Sequence, residues 1–501
     1  MAQTADIFSN IGKKKEGGND SEGIKTQTIV SLLSQFGLTA VGFLSTIYFT
    51  RVVDPALVGI YFLFFSYYTI FYLFSESGIG EASVKLISEG RDRSEYYSAS
   101  MAIRAVYLVF CLIVLALMAL FVPASEILNT SIYWWVAAAL CVDFLYNSRI
   151  YAAYADGKVN AFQTAVFLNI SIRSVFQILF VYGGYHVFGL EAGFFIGMIA
   201  AILFTQRYID LKFIRFLKKH LRAVLKYAVL IFLVMSCYIV YQNIDVVMIG
   251  WYMTETDAGI YRIVYQFSML AGLAANTMKT VLYPKFSAWN EEKKNALISE
   301  NLKAGVTFSL MLAVPIFFSF LILGNDFIRL FYGSSYLPGV SALYILSFIQ
   351  IITVFMYLQC ICLNAISHPK FAFLSVAAGI FANVILNMIL IPSYGLSGAA
   401  LATVFAMSLN TAVTYLFLKK VIDVKYNWKS VWNMTFASLL MCVFLLGFKQ
   451  VLPITNLVFL LTAFTAGGLL YGFLILKIDR IIRNKVAETA ASFGIKWPGF
   501  L

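Results

Sequence analysis

Charged residues are scarce in this sequence. Asp, Glu, Lys and Arg make up 12% of its 501 residues, about half the share found in a soluble globular protein. Hydrophobic residues make up 61%, and the mean hydropathy is +0.82. These values exclude a water-soluble multidomain protein and predict a polytopic membrane protein.

Signatures of catalytic chemistry are also missing. The six cysteines lie in apolar segments without CxxC spacing, which argues against disulfides and cysteine metal sites. The sequence has no G-x-x-x-x-G-K-[ST] phosphate loop, no H-E-x-x-H and no G-x-S-x-G. The loops between apolar segments are too short for a catalytic domain. We therefore expect no enzymatic activity and no cofactor, with transport energy coming from an ion gradient, the membrane potential or the substrate's own gradient.

What the sequence does contain is a series of apolar segments. Each is about 20 residues long, the length that a helix needs to cross a bilayer. We predict an all-α membrane protein with 14 transmembrane helices at residues 28–50, 57–83, 98–121, 132–154, 159–181, 188–206, 227–249, 258–282, 304–324, 336–363, 371–391, 395–418, 431–448 and 456–476.

The basic residues alternate with these segments. Counting Arg149 and Lys279, which lie near the cytoplasmic ends of their spans, 31 of the 37 Lys and Arg fall in the two tails and the even-numbered gaps. The odd-numbered gaps hold three. The positive-inside rule therefore predicts that both termini are cytoplasmic, in a multi-pass protein of the plasma membrane. The net charge of +12 then reflects topology and contact with membrane lipids, and no nucleic-acid partner is expected.

The chain also repeats itself. Residues 58–61 read Val-Gly-Ile-Tyr, and residues 258–261 read Ala-Gly-Ile-Tyr. The Gly-Leu pair that opens the segment at 188–206 recurs, with a second glycine, near residue 395. A looser third pair is Asp-Gly-Lys at 156–158 and His-Pro-Lys at 368–370. Offsets of 200 to 212 residues make the repeat unit six helices. Parallel repeats of this kind are typical of transporters.

The repeat gives the predicted domain organisation. Two parallel six-helix lobes are followed by an added C-terminal helix pair. The predicted parts are a cytoplasmic tail (1–27), an N-lobe (28–206), a basic cytoplasmic linker (207–226), a C-lobe (227–418), helices 13 and 14 (419–476) and a cytoplasmic C-terminal tail (477–501).

Several motifs resemble those of a known family. Residues 51–61 resemble the R-x-L-x-P-x-x-x-G-x-Y stretch of polysaccharide flippases, and residues 243–250 and 394–399 resemble two further stretches. The resemblance is to lipid-linked oligosaccharide flippases, such as O-antigen and teichoic acid flippases, of the multidrug/oligosaccharidyl-lipid/polysaccharide exporter superfamily. It implies alternating access. It also implies a polyprenyl-diphosphate-linked oligosaccharide that moves to the outer leaflet for cell-surface polysaccharide synthesis, its lipid tail in a groove made with the last two helices.

Three further expectations concern the assembly and its alternatives. The flippase is expected to be a monomer, with other polysaccharide-assembly proteins as candidate partners. A cation-coupled multidrug exporter of the same superfamily is the first alternative, and it needs no helices 13 and 14. A membrane glycosyl polymerase or ligase is the alternative from another class, and it requires a large extracytoplasmic loop.

Ionisable residues inside the spans are candidate substrate-binding residues. Arg104, Arg173 and Arg262 suit a diphosphate, because a guanidinium binds phosphate oxygens with two parallel hydrogen bonds. For Arg173 the alternative is an ion pair with Asp143. Glu76, near a predicted cytoplasmic end, is a candidate for binding substrate or a coupling proton.

A polar group in the second half is a candidate cation site. Asp245 is the only acid in its span, and Asn383 and Asn387 lie one turn apart on the same helix face. Ala399 and Thr403 follow, also one turn apart. The pattern resembles the sodium site of lipid II flippases and implies Na⁺ as coupling ion, although an acid would be usual at Asn387. The alternative is a cluster of interhelical hydrogen bonds.

Overall fold

The regular elements of the described chain are helices. We describe a computed structural model over residues 41–76, 78–121 and 131–492. Most of the predicted span 28–50 lies outside these ranges. The all-helical fold class is confirmed for the described part, where nine helices are long and apolar enough to cross a membrane. The count of fourteen helices and the two-lobe arrangement stay predictions.

The chain packs into two compact units, residues 7–262 and residues 263–501. The helices of the first unit are α1 (residues 41–52), α2 (Pro55–Glu76), α3 (Ile79–Ser88), α4 (Arg93–Phe121), α5 (Ser131–Ala155), α6 (Val159–Tyr182), α7 (His186–Thr205) and α8 (Lys218–Tyr252). Helix α9 (Glu255–Ser268) contains the boundary between the units.

Up to residue 492, where the described part of the second unit ends, seven more α-helices follow. They are α10 (Leu273–Glu291), α11 (Asn295–Phe331), α12 (Val340–Ala365), α13 (Pro369–Lys419), α14 (Trp428–Val451), α15 (Leu457–Ile478) and α16 (Arg480–Ser492). A boundary between units marks where packing is sparse, which is a different property from the period of a sequence repeat. The predicted domain boundaries at residues 206 and 226 therefore stay predictions.

Two predicted continuous spans are interrupted in the structure. The span 57–83 is divided between α2 and α3, and Gly78 has a φ of +85° at the start of α3. A Cβ atom there would lie 2.3 Å from the Ala228 carbonyl oxygen, so only glycine allows this close approach to α8. The span 258–282 is divided by a 3₁₀ turn at Met269–Gly272.

Helix α13 contains the two predicted spans 371–391 and 395–418. Gly395, with φ +57° and ψ −136°, breaks the helical path three residues after Pro392. The chain then reverses direction, because Asn383 and Thr403 are hydrogen-bonded although they are 20 residues apart. This hairpin brings the polar residues of its two arms together.

The basic linker is anchored to the first unit. Lys158 donates to the Tyr208 carbonyl oxygen (2.7 Å), and the Ile214 amide donates to Ser98 Oγ (2.8 Å). The buried ring of His220 and the ammonium of Lys219 both lie 3.1 Å from the Asp92 carboxylate. The hydrogen bonds from His220 and then Lys219 hold the pKa of Asp92 below its usual value.

Candidate functional site

Arg173 is held on α6 by an aromatic surround. Its guanidinium donates a hydrogen bond to the Tyr61 hydroxyl and lies 4.9 Å from the Phe194 ring centroid and 5.4 Å from that of Phe65. The side chain is half-buried. Asp143 bonds to Tyr68 instead (2.8 Å), so the ion pair between Arg173 and Asp143 is not formed.

The Tyr61 hydroxyl is fixed by a second donor. Gln177, one turn beyond Arg173, donates to it at 3.0 Å and to the Leu190 carbonyl oxygen at 2.8 Å. Gly193 lets α7 come this close, since a Cβ atom there would lie 2.6 Å from Gln177 Cγ. A guanidinium has five N–H donors, and among the described residues Arg173 gives only this one hydrogen bond to protein. The remaining donors are available for an anionic ligand.

Arg262 lies against the same turn of α2. Its guanidinium donates to the Gln242 carbonyl oxygen at 3.1 Å and lies 5.9 Å from the Phe62 ring centroid. Phe62 directly follows Tyr61, the partner of Arg173. The structure therefore brings two of the three candidate arginines to neighbouring residues of one helix.

Repeat-related residues meet at this place. Gly59 and Gly259 hold equivalent positions in the repeat, and a Cβ atom on Gly259 would lie 2.8 Å from both Gly59 N and the Pro55 carbonyl oxygen. The N-terminal turns of α2 and α9 thus cross in backbone contact. The next motif residues also have polar roles, since Tyr61 accepts from Arg173 while Tyr261 donates to Asp245 Oδ2 at 2.8 Å.

The other two candidates form a buried ion pair. Arg104 Nη2 on α4 lies 2.6 Å from Glu76 Oε1 at the end of α2, and Arg104 Nη1 lies 3.4 Å from Ser148 Oγ. The side chains of Arg104 and Glu76 are 2% and 4% exposed. A substrate has no access to them in this conformation, which separates them from Arg173 and Arg262.

The candidate cation residues divide between the two units. In the hairpin of α13, Asn383 Nδ2 donates to Thr403 Oγ1 (3.2 Å), Asn387 Nδ2 donates to Asn383 Oδ1 (3.1 Å), and Thr403 Oγ1 donates to the Ala399 carbonyl oxygen (3.1 Å). The structure brings these four residues together. Asp245 belongs to the first unit.

The donor chemistry of this group fits a monovalent cation only in part. It offers neutral amide, hydroxyl and carbonyl oxygens, which suit a hard cation. In the described part of the chain, no cluster of three or more His, Cys, Asp or Glu side chains has metal-site geometry. The same contacts also describe a hydrogen-bonded cluster that holds the two arms of α13 together.

An apolar cavity lies among the last helices of the second unit. Its volume is about 340 Å³. It is lined by α11, α14, α15 and α16, including Met311, Pro315, Met441, Phe464, Tyr471 and Ile475. Hydrocarbon is the ligand chemistry that this lining accepts.

Sequence reasoning missed the residues that position the arginines. Tyr61 is the central one, since it is 1% exposed and is the partner of both Arg173 and Gln177. The signal was available, because Tyr61 ends the repeated Gly-Ile-Tyr motif. No sequence pattern singled out Gln177, whose role depends on the packing of α6 against α7.

Two family profiles match the chain. The family described as "Polysaccharide biosynthesis protein" matches residues 24–290. The family described as "Lipid II flippase MurJ" matches residues 159–466. Each match covers more than half of the chain.

Relatives by sequence include two proteins of Haloferax volcanii. The "Probable low-salt glycan biosynthesis flippase Agl15" is 24% identical over 455 residues, which are 89% of this chain and 93% of that protein. The "Probable flippase AglR" is 26% identical over 251 residues, 50% of this chain and 52% of that protein.

Solved structures share the fold. "Lipid II flippase MurJ, inward closed conformation" gives a TM-score of 0.73 at 20% identity, covering 89% of this chain and 98% of that one. An inward-facing multidrug resistance MATE family transporter of the MOP superfamily gives 0.64 at 14% identity, covering 76% and 94%. At these identities the likeness concerns the fold alone.

Proposed function

Because the chain belongs to the polysaccharide biosynthesis protein and lipid II flippase families of the multidrug/oligosaccharidyl-lipid/polysaccharide exporter superfamily, we propose that it flips a lipid-linked oligosaccharide. It is a multi-pass membrane transporter and not an enzyme. The proposed substrate is a polyprenyl-diphosphate-linked oligosaccharide, carried from the cytoplasmic to the outer leaflet by alternating access of the predicted lobes. The proposed orientation has both termini in the cytoplasm.

The observation that carries this proposal is that Arg173 on α6 and Arg262 on α9 contact neighbouring residues of α2, Tyr61 and Phe62. Two guanidiniums suit a diphosphate, because each binds phosphate oxygens through paired N–H donors and stays charged. The aromatic rings around Arg173 lower the local dielectric on that side of the guanidinium and so strengthen its attraction for an anion. Tyr61 and Gln177 fix the direction in which that guanidinium points.

The apolar cavity near α14 and α15 supports a role for the last two helices. A lipid tail that stays in the bilayer while its head crosses needs an apolar surface beside the transport path. We propose that this cavity, lined by residues such as Met441 and Phe464, holds part of the polyprenyl chain.

The second candidate function is cation-coupled export of amphipathic drugs. It is favoured by the fold likeness to a multidrug transporter. The two functions differ in the charge that the site must bind. An anionic diphosphate needs Arg173, whereas a cationic drug is repelled by it.

A charge-removing substitution tests the site. We expect Arg173→Ala to slow flipping of a fluorescent diphosphate-linked oligosaccharide in proteoliposomes by roughly 10- to 100-fold, since a hydrogen bond to a charged group contributes about 1.5–3 kcal/mol. Arg173→Lys keeps the positive charge but lacks the planar guanidinium with its paired N–H donors, so we expect a flipping rate between those of Arg173→Ala and the wild type. Arg215→Ala, an exposed arginine of the linker, is the matched control. Normal flipping by Arg173→Ala contradicts the assignment.

We also propose that Na⁺ is a coupling ion and binds the oxygens of Asn383, Asn387, Ala399 and Thr403. Asp245 is the one charged member of the predicted set, and its participation stays a prediction. A bound ion stabilises the fold by about 2.7 kcal/mol at 100 times its Kd. Na⁺ should therefore raise the melting temperature at constant ionic strength.

The matched pair for the sodium test lies on one arm of α13. Thr403→Val removes a proposed ligand at constant shape and should abolish the rise with Na⁺. Thr411→Val removes a similar hydroxyl, bonded at 2.7 Å to the carbonyl oxygen one turn earlier, and should preserve it. If Na⁺ does not change the melting temperature of the unmodified protein, these four residues are a structural hydrogen-bonded cluster and not an ion site.

A further inference from the structure

Three charged side chains are buried together in the first unit. Taken as whole residues, Glu76 is 3% exposed, Arg104 2% and Asp143 3%. Glu76 and Arg104 form an ion pair of 2.6 Å, and Asp143 lies within electrostatic range of both. Asp143 Oδ1 also accepts a hydrogen bond of 2.8 Å from the Tyr68 hydroxyl. We call these three residues the acid–arginine cluster.

The charges of the cluster do not balance. Two carboxyl groups share one guanidinium, so full ionisation would leave an uncompensated negative charge in the interior of a membrane protein. Such a charge costs several kcal/mol, and a carboxyl group in this position takes up a proton instead. Charge neutrality is reached when the cluster binds one proton.

Among the described residues, no second cation forms an ion pair with the cluster. The titratable groups around it are Tyr68 and Tyr72 on α2, Glu81 on α3, Tyr97 on α4, Tyr146, Arg149 and Tyr151 on α5, and Arg173 on α6, which acts on Tyr68. Helix α7 presents the Phe194 ring to Tyr68, with Glu191 one turn away. From α8, backbone atoms of Ala228 and Phe232 come closest to Gly78, two residues after Glu76.

The hydrogen bonding of Arg104 allows its guanidinium to pair with either Glu76 or Asp143. In the described part of the chain its Nε–H, although buried, has no hydrogen-bond partner, and its only ion pair uses Nη2. Its guanidinium face lies 5.6 Å from the Tyr151 ring centroid. A guanidinium with an unused donor can pair with either carboxylate, and the proton then occupies the other acid.

We propose that Glu76, Arg104 and Asp143 form a binding site for one proton, shared between the two carboxyl groups and exchanged with water during each transport cycle. A carboxylate accepts the proton from hydronium on one side of the membrane and returns it to water on the other, so no oxidant or reductant is involved. The binding of the proton rests on the geometry above, and its exchange per cycle rests on the proposed flippase function. Arg104 and Glu76 are thereby removed from the candidate substrate-binding residues.

Infrared spectroscopy at neutral pH tests the shared proton directly, by subtracting the spectrum of each variant from that of the wild type. We expect purified wild-type protein to show one carboxylic acid C=O band from the cluster. Glu76→Gln should remove it, and so should Asp143→Asn, because the remaining acid ionises against Arg104. Glu81→Gln, an exposed neighbour on α3, should leave it in place. A band missing from the wild type, or retained in either single variant, overturns the proton site.

Proton exchange is tested in voltage-clamped proteoliposomes that contain a pH dye. Added diphosphate-linked oligosaccharide should produce a proton flux in the wild type, and Glu76→Gln and Asp143→Asn should abolish that flux. Flipping without proton flux overturns the exchange and leaves the flippase function intact. Absence of flipping in the wild type overturns the flippase function, while the infrared result still decides whether the proton site exists.

Discussion

The crossing of α2 and α9 gives a prediction that runs against ordinary helix propensity. A Cβ atom on Gly59 would lie 1.7 Å from the carbonyl oxygen of Glu255 and 2.5 Å from its carbonyl carbon. These are backbone atoms, so the contact cannot be relieved by a rotamer change, and the two helices have to separate. Overpacking of this kind costs up to about 3 kcal/mol.

Helix propensity acts in the opposite direction. Replacing glycine with alanine inside a helix stabilises it by about 1 kcal/mol when space is available. The net cost of Gly59→Ala to the closed crossing is therefore about 2 kcal/mol, which is roughly a 30-fold shift toward separated helices. Gly447→Ala on α14 is the matched control, because no heavy atom lies within 4 Å of its Cβ position.

The assay combines thermal unfolding with thiol labelling. Ala258, fully buried at the crossing, becomes the reporter Ala258→Cys in a cysteine-free background. We expect Gly59→Ala to lower the melting temperature and to increase labelling of the reporter, whereas Gly447→Ala does neither. A Gly59→Ala protein that is as stable as its parent, with an unlabelled reporter, refutes the reasoning.

Two further predictions concern topology and the linker. An impermeant thiol reagent applied to intact cells should label Thr254→Cys and not Lys219→Cys, and labelling of the latter contradicts the positive-inside assignment. The lowered pKa of Asp92, caused by His220 and then Lys219, means that its carboxylate stabilises the fold above about pH 4 and that this contribution is lost as pH falls through the lowered value. The melting temperature of Asp92→Asn should accordingly lie below that of the wild type at pH 7, and this gap should close as pH falls through the lowered pKa; a gap that stays constant over that range excludes the carboxylate as the cause.

The fold class was predictable because it follows from bulk properties of the sequence. Apolar segments of membrane-spanning length need only composition and a length scale to be recognised. The positions of helix breaks were harder. The break at Gly78 depends on the approach of α8, about 150 residues further along the chain, and no local signal distinguishes it from an ordinary helical glycine.

The candidate site was predictable in its residue types but only partly in its geometry. The free-energy cost of placing a charged side chain inside a membrane span is enough to identify Arg104 and Arg173 as unusual. Their roles diverge because of partners on other helices: Glu76 pairs with Arg104, whereas Tyr61 presents only a hydroxyl to Arg173. Such pairings are set by helix packing, which one sequence does not specify. The contact between Asn383 and Thr403 could be predicted from the sequence, because helical spacing and the repeat place the two residues on facing arms of the hairpin.

The central claim is that this transporter recognises an anionic, lipid-linked glycan. The most direct measurement compares two substrates in the same proteoliposomes, a fluorescent polyprenyl-diphosphate-linked oligosaccharide and a cationic dye. We predict that the protein moves the lipid-linked oligosaccharide between leaflets and leaves the dye unmoved. Transport of the dye without movement of the lipid-linked oligosaccharide would contradict the account and identify a drug exporter.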